Sequence, residues 1–307
     1  MKILITGALG HIGSKLILEL INIKKIKKLY LIDNARSNNL NVLFKIKSKN
    51  KKIKFIYGDL LDKETLNLIK EKIDLVIHLA SITNSEGSWK IKNLIYENNF
   101  GIFKNICKFC LEKKAKLIHL SSTSVYGIQS KLVDEKCKLL KPQSPYADIK
   151  LLEERYLQKN KKIKFISLRL GTITGISFGM RFHTAVNKFC LKAILREKIP
   201  VWNNAMDLYR PYLSLNDAIK VLKYIIDKNL FNREIYNILT KNYTVRQILE
   251  LIKKQRFKVD IKKTNSPMLN QNSYKVSRKK FDSLKVKLNN NIYKDIKDTL
   301  NLIKYLY

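Results

Sequence analysis

A tyrosine and a lysine four positions apart, Tyr146 and Lys150, have the residue types and the spacing for proton transfer. Residues four positions apart lie on one face of a helix, so the ammonium group can stand beside the phenol. A free tyrosine has a pKa of ~10, and bringing that pKa near 7 takes ~4 kcal/mol, which neighbouring positive charge can supply. The pair is therefore a candidate acid/base couple.

The spacing alone does not identify this pair, because the segments 224–228 and 293–297 also begin with Tyr and end with Lys. Only Tyr146 and Lys150 follow a serine-rich strand end, at 121–124, and only they begin a helix after a Ser-Pro step. Proline is favoured in the first turn of a helix, with serine as its cap. The context therefore selects this pair.

A glycine-rich turn lies between the first strand pattern and the first helical pattern. Gly7 permits the tight turn, Gly10 lets the backbone approach a pyrophosphate, and Gly13 lets helix and strand pack closely. The start of the helix, with His11 and Ile12, then faces the phosphates. Three of the 10 glycines of the chain fall in this turn, which predicts a dinucleotide site.

Asp33 ends the second strand pattern, twenty residues after Gly13. A carboxylate there accepts hydrogen bonds from the adenosine ribose and repels a 2′-phosphate, which favours NAD over NADP. Arg36 lies close by and works against this preference. Asp33 could instead be a turn residue before Asn34.

Two further strand patterns end in residues that we expect beside the cofactor, since open α/β sheets bind ligands at the carboxyl ends of their strands. The third pattern ends in Asp59 and Leu60. The fourth ends in His78, Leu79, Ala80 and Ser81.

Strand and helix patterns alternate through the first half of the chain, which predicts a parallel sheet with helices on both faces. The strand patterns are nearly all apolar, as strands buried on both faces must be. The predicted strands are Lys2–Thr6, Leu29–Ile32, Lys52–Tyr57, Leu75–Leu79, Lys116–Leu120 and Ile163–Leu168, and the predicted helices are Ile12–Ile21, Lys63–Glu71, Ser88–Leu111 and Ser144–Lys159.

The rhythm changes after about residue 170. We therefore expect a doubly wound Rossmann domain over residues 1–170 and a smaller α/β substrate lobe over 171–307, with segments that return to the first domain. The segment Lys262–Ser273 is polar and predicts a loop. Helices are predicted at His183–Arg196, Leu215–Lys228 and Ile292–Tyr305, with short strands at Pro200–Trp202 and Pro211–Leu213.

The formal net charge of +36 admits two interpretations. One is binding to nucleic acid or an anionic membrane. The other, which we favour, is the codon bias of an AT-rich genome, because lysine is spread from Lys2 to Lys304 and no cluster of arginine with aromatic residues is present. We therefore expect no specific nucleic-acid partner.

The four cysteines give no sign of metal or redox chemistry. Cys107 and Cys110 form a lone CxxC pair in a helical pattern, without the second pair or histidines that a zinc site requires. No apolar run approaches the ~20 residues that span a bilayer, and the N-terminus is typical of a strand rather than a signal peptide. We expect a cytoplasmic protein without a membrane partner.

These features together resemble the extended short-chain dehydrogenase/reductase family, in particular its nucleotide-sugar epimerases and dehydratases. The resemblance runs from Met1 to the last helix. It implies NAD as the cofactor, a nucleotide sugar as the substrate, and a homodimer paired through the helical stretches Ser88–Leu111 and Ser144–Lys159. It rests on the glycine turn, Asp33, Asp59, the His78–Ser81 segment, the helix start Asn98…Gly101, Ser122 with Tyr146 and Lys150, and Arg210-Pro211-Tyr212 followed by Asp217.

By this resemblance Tyr146 is the acid/base, Lys150 holds the nicotinamide ribose and lowers the tyrosine pKa, and Ser122 orients the substrate hydroxyl. The implied activity is that of an NAD-dependent epimerase, which oxidises one sugar carbon by hydride transfer to NAD and re-reduces it on the other face. Arg210 resembles the arginine that clamps the nucleotide diphosphate, and Asn98 is expected on the cofactor. The expected substrate-binding residues are Thr83, Ser122, Thr172, Arg181, His183, Asn187 and Arg210.

Two departures from the family pattern bear on the activity. Dehydratases have an Asp-Glu pair after the catalytic Ser or Thr, whereas this chain has Thr123-Ser124, which disfavours 4,6-dehydration. Many epimerases have Asn three residues after the arginine that ends the sixth strand, whereas Arg169 is followed by Thr172. Asn187 is a candidate replacement for the missing phosphate contact.

Some alternatives stay open. Arg181 and His183 either bind substrate or are a surface cation and a satisfied polar residue. The uncharged segment Pro267–Tyr274 either lines the sugar pocket or connects the lobes. The rival functions are a nucleotide-sugar reductase that releases its cofactor and, from another class, a nucleic-acid-binding protein on the same fold, which would have no use for the serine, tyrosine and lysine set.

Overall fold

The strands are those of a computed structural model, which describes residues 1–37, 39–46, 51–83, 91–265, 273–289 and 291–306. In chain order they are β1 (Lys2–Thr6), β2 (Lys28–Asp33), β3 (Ile53–Tyr57), β4 (Leu75–His78), β5 (Lys116–Ser122), β6 (Leu132–Val133), β7 (Phe165–Leu170), β8 (Thr172–Thr174), β9 (Ile199–Trp202), β10 (Tyr209–Ser214), β11 (Ile235–Ile238), β12 (Lys241–Thr244), β13 (Ile261–Thr264) and β14 (Lys275–Val276).

The helices connect these strands and cover both sides of the sheet that they form. They are α1 (His11–Leu20), α2 (Asn41–Lys45), α3 (Lys63–Asn67), α4 (Lys92–Ile95), α5 (Gly101–Lys113), α6 (Pro145–Lys159), α7 (Ala185–Ile194), α8 (Leu215–Lys228), α9 (Val245–Lys253), α10 (Lys279–Asp282) and α11 (Ile292–Leu306).

The central sheet, within the described residues, has seven parallel strands in the order β11-β7-β5-β4-β1-β2-β3. The direction of strand addition reverses between β1 and β4, whose last residues, Thr6 and His78, stand side by side. Open α/β sheets bind their ligands in the crevice that such a reversal creates. The predicted doubly wound parallel sheet is thus confirmed.

The apolar strand patterns follow from burial on both faces. Ile3 and Ile5 of β1 pack in one apolar cluster, which also holds buried residues of α1 and α8. Leu4, between them, packs in a second cluster with residues of α5 on the opposite face. Successive side chains of a strand point to opposite faces, so a strand covered on both sides needs apolar residues throughout.

The second half of the chain builds smaller sheets beside this crevice. β10 pairs in parallel with β8 and antiparallel with β12, while β9 pairs with β13. Residues of α7, α9 and α11 share a separate apolar core, represented by Val186, Ile248 and Ile296. β11 also follows residue 170, yet it pairs with β7 in the central sheet.

The prediction of a loop over Lys262–Ser273 is wrong for its first residues. Ile261–Thr264 forms β13, paired in parallel with β9. Lys262 and Lys263 are exposed, so backbone pairing rather than an apolar pattern holds this strand. Residues 266–272, with most of the uncharged segment, lie outside the described residues.

The single helix predicted over Ser88–Leu111 is also corrected, because a wider π-type turn at Tyr96–Phe100 separates α4 from α5. Asn99 in this turn accepts a hydrogen bond from the Ile82 N–H at 2.8 Å and donates one to the Ile82 carbonyl at 3.0 Å. A hydrogen bond to a loop that is distant in sequence does not change the helical spacing of apolar residues, so the sequence pattern does not predict this turn. No helix in the described part of the chain is both long and apolar enough to cross a membrane.

Candidate active site

A cavity of about 690 Å³ opens where the central sheet meets the smaller sheets. Its volume lies in the range of small-molecule and cofactor sites. The described residues that line it include five that carry or can carry positive charge and no aspartate or glutamate. These five are Lys150, Arg181, His183, Lys188 and Arg210; His11 and His78 also line the cavity, but burial lowers their pKa to about 4 and about 3.

The glycine turn forms one wall of the cavity, and its backbone requires glycine at two positions, Gly7 and Gly13. Gly7 has φ of 64°, and a Cβ there would lie 2.6 Å from the backbone nitrogen of Ala80. A Cβ on Gly13 would lie 2.5 Å from the Gly7 carbonyl oxygen. Gly10 is less constrained by the chain, since a Cβ there would meet the Gly7 carbonyl oxygen at 3.2 Å and the Arg181 guanidinium at 3.6 Å.

Helix α1 begins at this turn, and the residues of its first turn border the cavity. His11 and Ile12 line the cavity as predicted from their place in the turn. The His11 ring bonds through Nε2 to the Gly175 carbonyl at 2.8 Å. Burial lowers the pKa of His11 to about 4, so the ring is uncharged at neutral pH and leaves the anion-binding helix start to the amides.

Asp33 ends β2 beside the glycine turn, and its two carboxylate oxygens accept from the Leu9 N–H at 2.9 Å and the Ala35 N–H at 2.8 Å. Each oxygen keeps a further lone pair. The neighbouring Asn34 donates to the Asp59 carboxylate at 3.1 Å across the ends of β2 and β3. Arg36 is exposed.

The end of β4 reaches the cavity through His78, Leu79 and Ser81. The Thr6 hydroxyl contacts His78 Nδ1 at 2.8 Å and accepts from the Leu79 and Ala80 amides at 3.2 and 3.3 Å, which fixes this strand end against β1. Ala80 packs on Gly7. Leu60 and Asn98 are buried. The predicted cofactor residues that do not line the cavity are Asp33, Asn34, Asp59, Leu60, Ala80 and Asn98.

Ser122, Tyr146 and Lys150 all line the cavity, so the three predicted catalytic residues meet at one place. Ser122 is the last residue of β5, and its hydroxyl accepts from the Ser124 N–H at 3.2 Å and lies 2.8 Å from the Ser124 hydroxyl. Ser144 caps α6, and its hydroxyl accepts from the Ala147 N–H at 3.2 Å. This cap and the proline after it start the helix directly before Tyr146.

The Lys150 ammonium lies 5.8 Å from the centre of the Tyr146 ring. Burial and the negative charge of Glu153 raise the pKa of Tyr146, and the positive charges of Lys150 and Arg181 oppose that rise. The groups of the chain leave the tyrosine pKa above its ordinary value, so the depression expected from the sequence depends on the positive charge of a bound cofactor as well.

Behind Lys150 lies a buried carboxylate that sequence reasoning did not single out. Glu153 Oε2 accepts from Lys150 Nζ at 2.8 Å and lies 2.9 Å from His119 Nε2. His119 Nδ1 in turn lies 2.9 Å from the Ser167 hydroxyl. The available signal was a glutamate one helical turn after Lys150, on the buried face of α6.

The next residue, Glu154, belongs to a separate network. It accepts two hydrogen bonds from Arg169, at 2.9 and 2.7 Å, and one from Ser121 at 2.5 Å. This arrangement joins α6 to the ends of β5 and β7. Arg169, whose position relative to Thr172 was noted in the sequence, thus serves the fold.

Most of the predicted substrate residues line the cavity, and among them Arg181 lies beside the glycine turn. Thr83, Thr172, Arg181, His183 and Arg210 line the cavity, and the Arg181 guanidinium contacts the Thr83 hydroxyl. The guanidinium of Arg210 lies 5.8 Å from the centre of the Tyr274 ring. Tyr274 is the last residue of the uncharged segment noted in the sequence, and the sequence did not predict this contact.

Asn187 is fully buried and does not line the cavity. Its amide donates to the Arg181 carbonyl at 2.9 Å, and its side-chain oxygen has no partner among the described residues. The residue therefore holds the backbone of the segment that carries Arg181. Sequence reasoning also missed the aromatic side of the cavity, where Phe189, Trp202 and Tyr212 contribute.

A family model, described as the NAD dependent epimerase/dehydratase family, matches residues 3–238. The chain is 30% identical over 260 residues to a dTDP-D-glucose 4,6-dehydratase of Dictyostelium discoideum, covering 77% of this chain and 58% of that one. It is 33% identical over 163 residues to a UDP-glucose 4-epimerase of Yersinia enterocolitica, covering 52% and 48%. The alignments thus span about half the length of these curated relatives.

Structural similarity extends over the whole chain. The crystal structure of UDP-glucuronic acid 4-epimerase from Bacillus cereus, in complex with UDP-glucuronic acid and NAD, superimposes with a TM-score of 0.90. The two sequences are 25% identical, and the match covers 100% of both chains.

Proposed function

This chain belongs to the NAD dependent epimerase/dehydratase family and uses NAD, and from that premise we propose that it is a nucleotide-sugar epimerase. The observation that carries the proposal is one cavity in which Ser122, Tyr146 and Lys150 face a cluster of cations with no carboxylate among the described lining residues. Such a site suits an anionic substrate whose hydroxyl group must lose a proton.

The residues on the glycine side fit the cofactor. The turn brings Gly10 and the start of α1 to the cavity wall, where a residue without a side chain would let a pyrophosphate approach the backbone. Asp33 has lone pairs free for the adenosine ribose. Lys150, with three donor hydrogens of which one goes to Glu153, keeps two for the nicotinamide ribose.

Arg181, which lies beside the glycine turn, and Lys188 and Arg210 carry the charge that supports a nucleotide diphosphate. Arginine pairs with phosphate through two parallel hydrogen bonds, so Arg210 is the residue that we assign to the diphosphate. Phe189, Trp202 and Tyr212 offer apolar surface for the nucleoside. The nucleotide-sugar substrate of the Bacillus cereus epimerase supports the same substrate class here.

The mechanism follows from these positions. Tyr146, as phenolate, takes the proton of a sugar hydroxyl while the Ser122 hydroxyl holds the oxygen of that group in place. A bound NAD would supply the acceptor for a hydride, the hydrogen with both electrons of its C–H bond, from the carbon that carries this hydroxyl, and would supply the same hydride for the return step. Tyr146 gives its proton back to the oxygen when the opposite face of the sugar has been presented, so protons and electrons balance over the cycle.

The two residues after Ser122 disfavour dehydration. Thr123 donates to the Leu170 carbonyl at 3.2 Å and Ser124 bonds back to Ser122, so neither supplies an acid for a departing hydroxyl. The relative named as a dehydratase makes this the second activity to test.

We also propose a homodimer paired through α4, α5 and α6. Leu94, Tyr96 and Leu111 are each more than one-third exposed on this side, which supports an apolar contact between copies. Residues 1–170 are the proposed cofactor domain and 171–307 the proposed substrate lobe. The proposed compartment is the cytoplasm, where buried free thiols such as Cys107 stay reduced.

The test is incubation with UDP-glucose, UDP-glucuronic acid, UDP-N-acetylglucosamine and dTDP-glucose, followed by NMR of the products. We expect the epimer of at least one substrate without net reduction of NAD. Loss of water to a 4-keto-6-deoxy sugar would show a dehydratase instead. Net formation of NADH would show an oxidoreductase that releases its cofactor.

A further inference from the structure

The catalytic lysine lies between two groups that can share its proton. Tyr146 is on one side, with its ring centre 5.8 Å from Lys150 Nζ, and Glu153 is on the other at 2.8 Å. Lys150 is 4% exposed and Glu153 1% exposed, so water screens neither. A charge pair in such surroundings acts strongly on its neighbours.

The carboxylate is itself held by the central sheet. A carboxylate oxygen can only accept, so the bond between Glu153 and His119 requires a proton on His119 Nε2. A neutral His119 ring then accepts from the Ser167 hydroxyl through Nδ1. Glu153 thus faces Lys150 from a fixed position, tied to β5 and β7.

The contacts of Lys150 with Glu153 and Tyr146 decide whether the lysine or the tyrosine loses its proton first. Burial alone would lower the pKa of Lys150, but Glu153 and Tyr146 outweigh burial and raise it. Lys150 and His119 in turn, against the effect of burial, hold the pKa of Glu153 below its usual value. Without Glu153, a neutral lysine beside a neutral tyrosine becomes accessible, and that state cannot act as a phenolate base.

We propose that Glu153 is a positioning residue that keeps the proton on Lys150, so that Tyr146 is the member of the pair that ionises. The proposal rests on the proposed function, since it assigns the base of that reaction. Glu153 does not line the cavity, and its hydrogen bond to the catalytic pair goes to Lys150.

The other charged or titratable groups near the pair cannot replace Glu153. On α6, Glu154 is bound by Arg169. From β4, His78 is uncharged at neutral pH because burial lowers its pKa to about 3. From the opposite wall, Arg181 adds positive charge near Tyr146. Glu153 is therefore the carboxylate in contact with the lysine.

The test is the ionisation of Tyr146, followed by the ultraviolet absorbance of tyrosinate in the NAD-loaded protein. The signal of Tyr146 is the difference between each protein and its Tyr146→Phe counterpart. Removing Glu153 takes away a negative charge that opposes tyrosine ionisation, but it also lets Lys150 give up its proton first. We expect the loss of the lysine charge to outweigh the first effect, so in Glu153→Gln the tyrosinate signal should appear about one pH unit or more higher than in the unmodified chain. Glu153→Asp, which keeps the charge but withdraws it, should shift the signal less in the same direction.

The matched control is Glu154→Gln, which removes the neighbouring buried carboxylate without touching Lys150. It should lower thermal stability but leave the tyrosinate titration within a few tenths of a unit of its place. A tyrosinate titration in Glu153→Gln that is unchanged or shifted to lower pH overturns the proposal. If Glu153→Gln does not fold, an unchanged tyrosinate titration in Glu153→Asp overturns it instead. The titration needs no substrate, so it stands whether or not an epimer is found.

Discussion

The two sides of the cavity are built from different parts of the chain. The cofactor side is mainly backbone, where Gly7 and Gly13 allow close packing and the first turn of α1 borders the cavity. The substrate side is mainly side chains, such as Lys188 and Arg210, carried on segments outside the central sheet. Backbone sites tolerate little change in residue type, whereas side-chain sites can be altered to change the ligand.

The largest effect that this contrast predicts comes from Gly7→Ala. The new Cβ would enter the backbone of Ala80, at a φ that L residues rarely adopt, so we expect a loss of about 2–4 kcal/mol in stability. NAD affinity should fall with it. Gly10→Ala is the contrasting variant, since its Cβ has more room and should weaken NAD binding while the melting temperature changes little. Equal melting temperatures for both variants would break the argument from backbone packing.

Arg210→Ala tests the side-chain half of the comparison. Losing a charge-assisted contact to a diphosphate costs about 1.5–3 kcal/mol, so we expect the affinity for the nucleotide sugar to fall roughly 10- to 100-fold. NAD affinity should not change. Arg246→Ala is the matched control, because Arg246 lies in the same half of the chain but pairs with Asp207 at the surface. Calorimetry with both ligands decides, and a parallel loss of NAD affinity in Arg210→Ala would contradict the division.

Asp33 is the side chain on which the cofactor side depends for its choice of ligand, and here the expected effect is smaller. We expect NAD to bind about tenfold tighter than NADP, which corresponds to about 1.4 kcal/mol. Asp33→Asn should bring the two affinities closer. The unmodified chain could instead bind NAD and NADP equally. If Arg36→Ala then gave a preference for NAD, this would show that Arg36 cancels the effect of Asp33.

The same contrast explains how far the sequence could be interpreted. The glycine turn, the apolar strands and the Tyr146–Lys150 pair are local patterns, and the structure brings the predicted residues to one cavity. β13 and the π-type turn depend on partners distant in sequence, β9 and Ile82, so no local pattern predicts them. The sequence did not indicate a role for Glu153, because that role depends on its contacts with both His119 and Lys150.

Asn187 shows why the substrate-binding residues could not all be predicted from the sequence. Residue type suggested a phosphate ligand, but the side chain is buried and bonded to the Arg181 carbonyl. Which polar groups of a lobe face a ligand depends on packing between segments far apart in the chain. The composition of that wall therefore had to come from the structure.

The central claim, that Tyr146 is the proton acceptor of a nucleotide-sugar epimerase, is tested most directly by turnover of Tyr146→Phe. We expect the rate of epimer formation to fall roughly 10²- to 10⁴-fold, because the ionisable hydroxyl is lost. NAD affinity should stay unchanged, because the ring remains in place. Tyr224→Phe and Tyr293→Phe, which have the same spacing to a lysine, should keep full turnover. Near-full turnover in Tyr146→Phe would contradict the account.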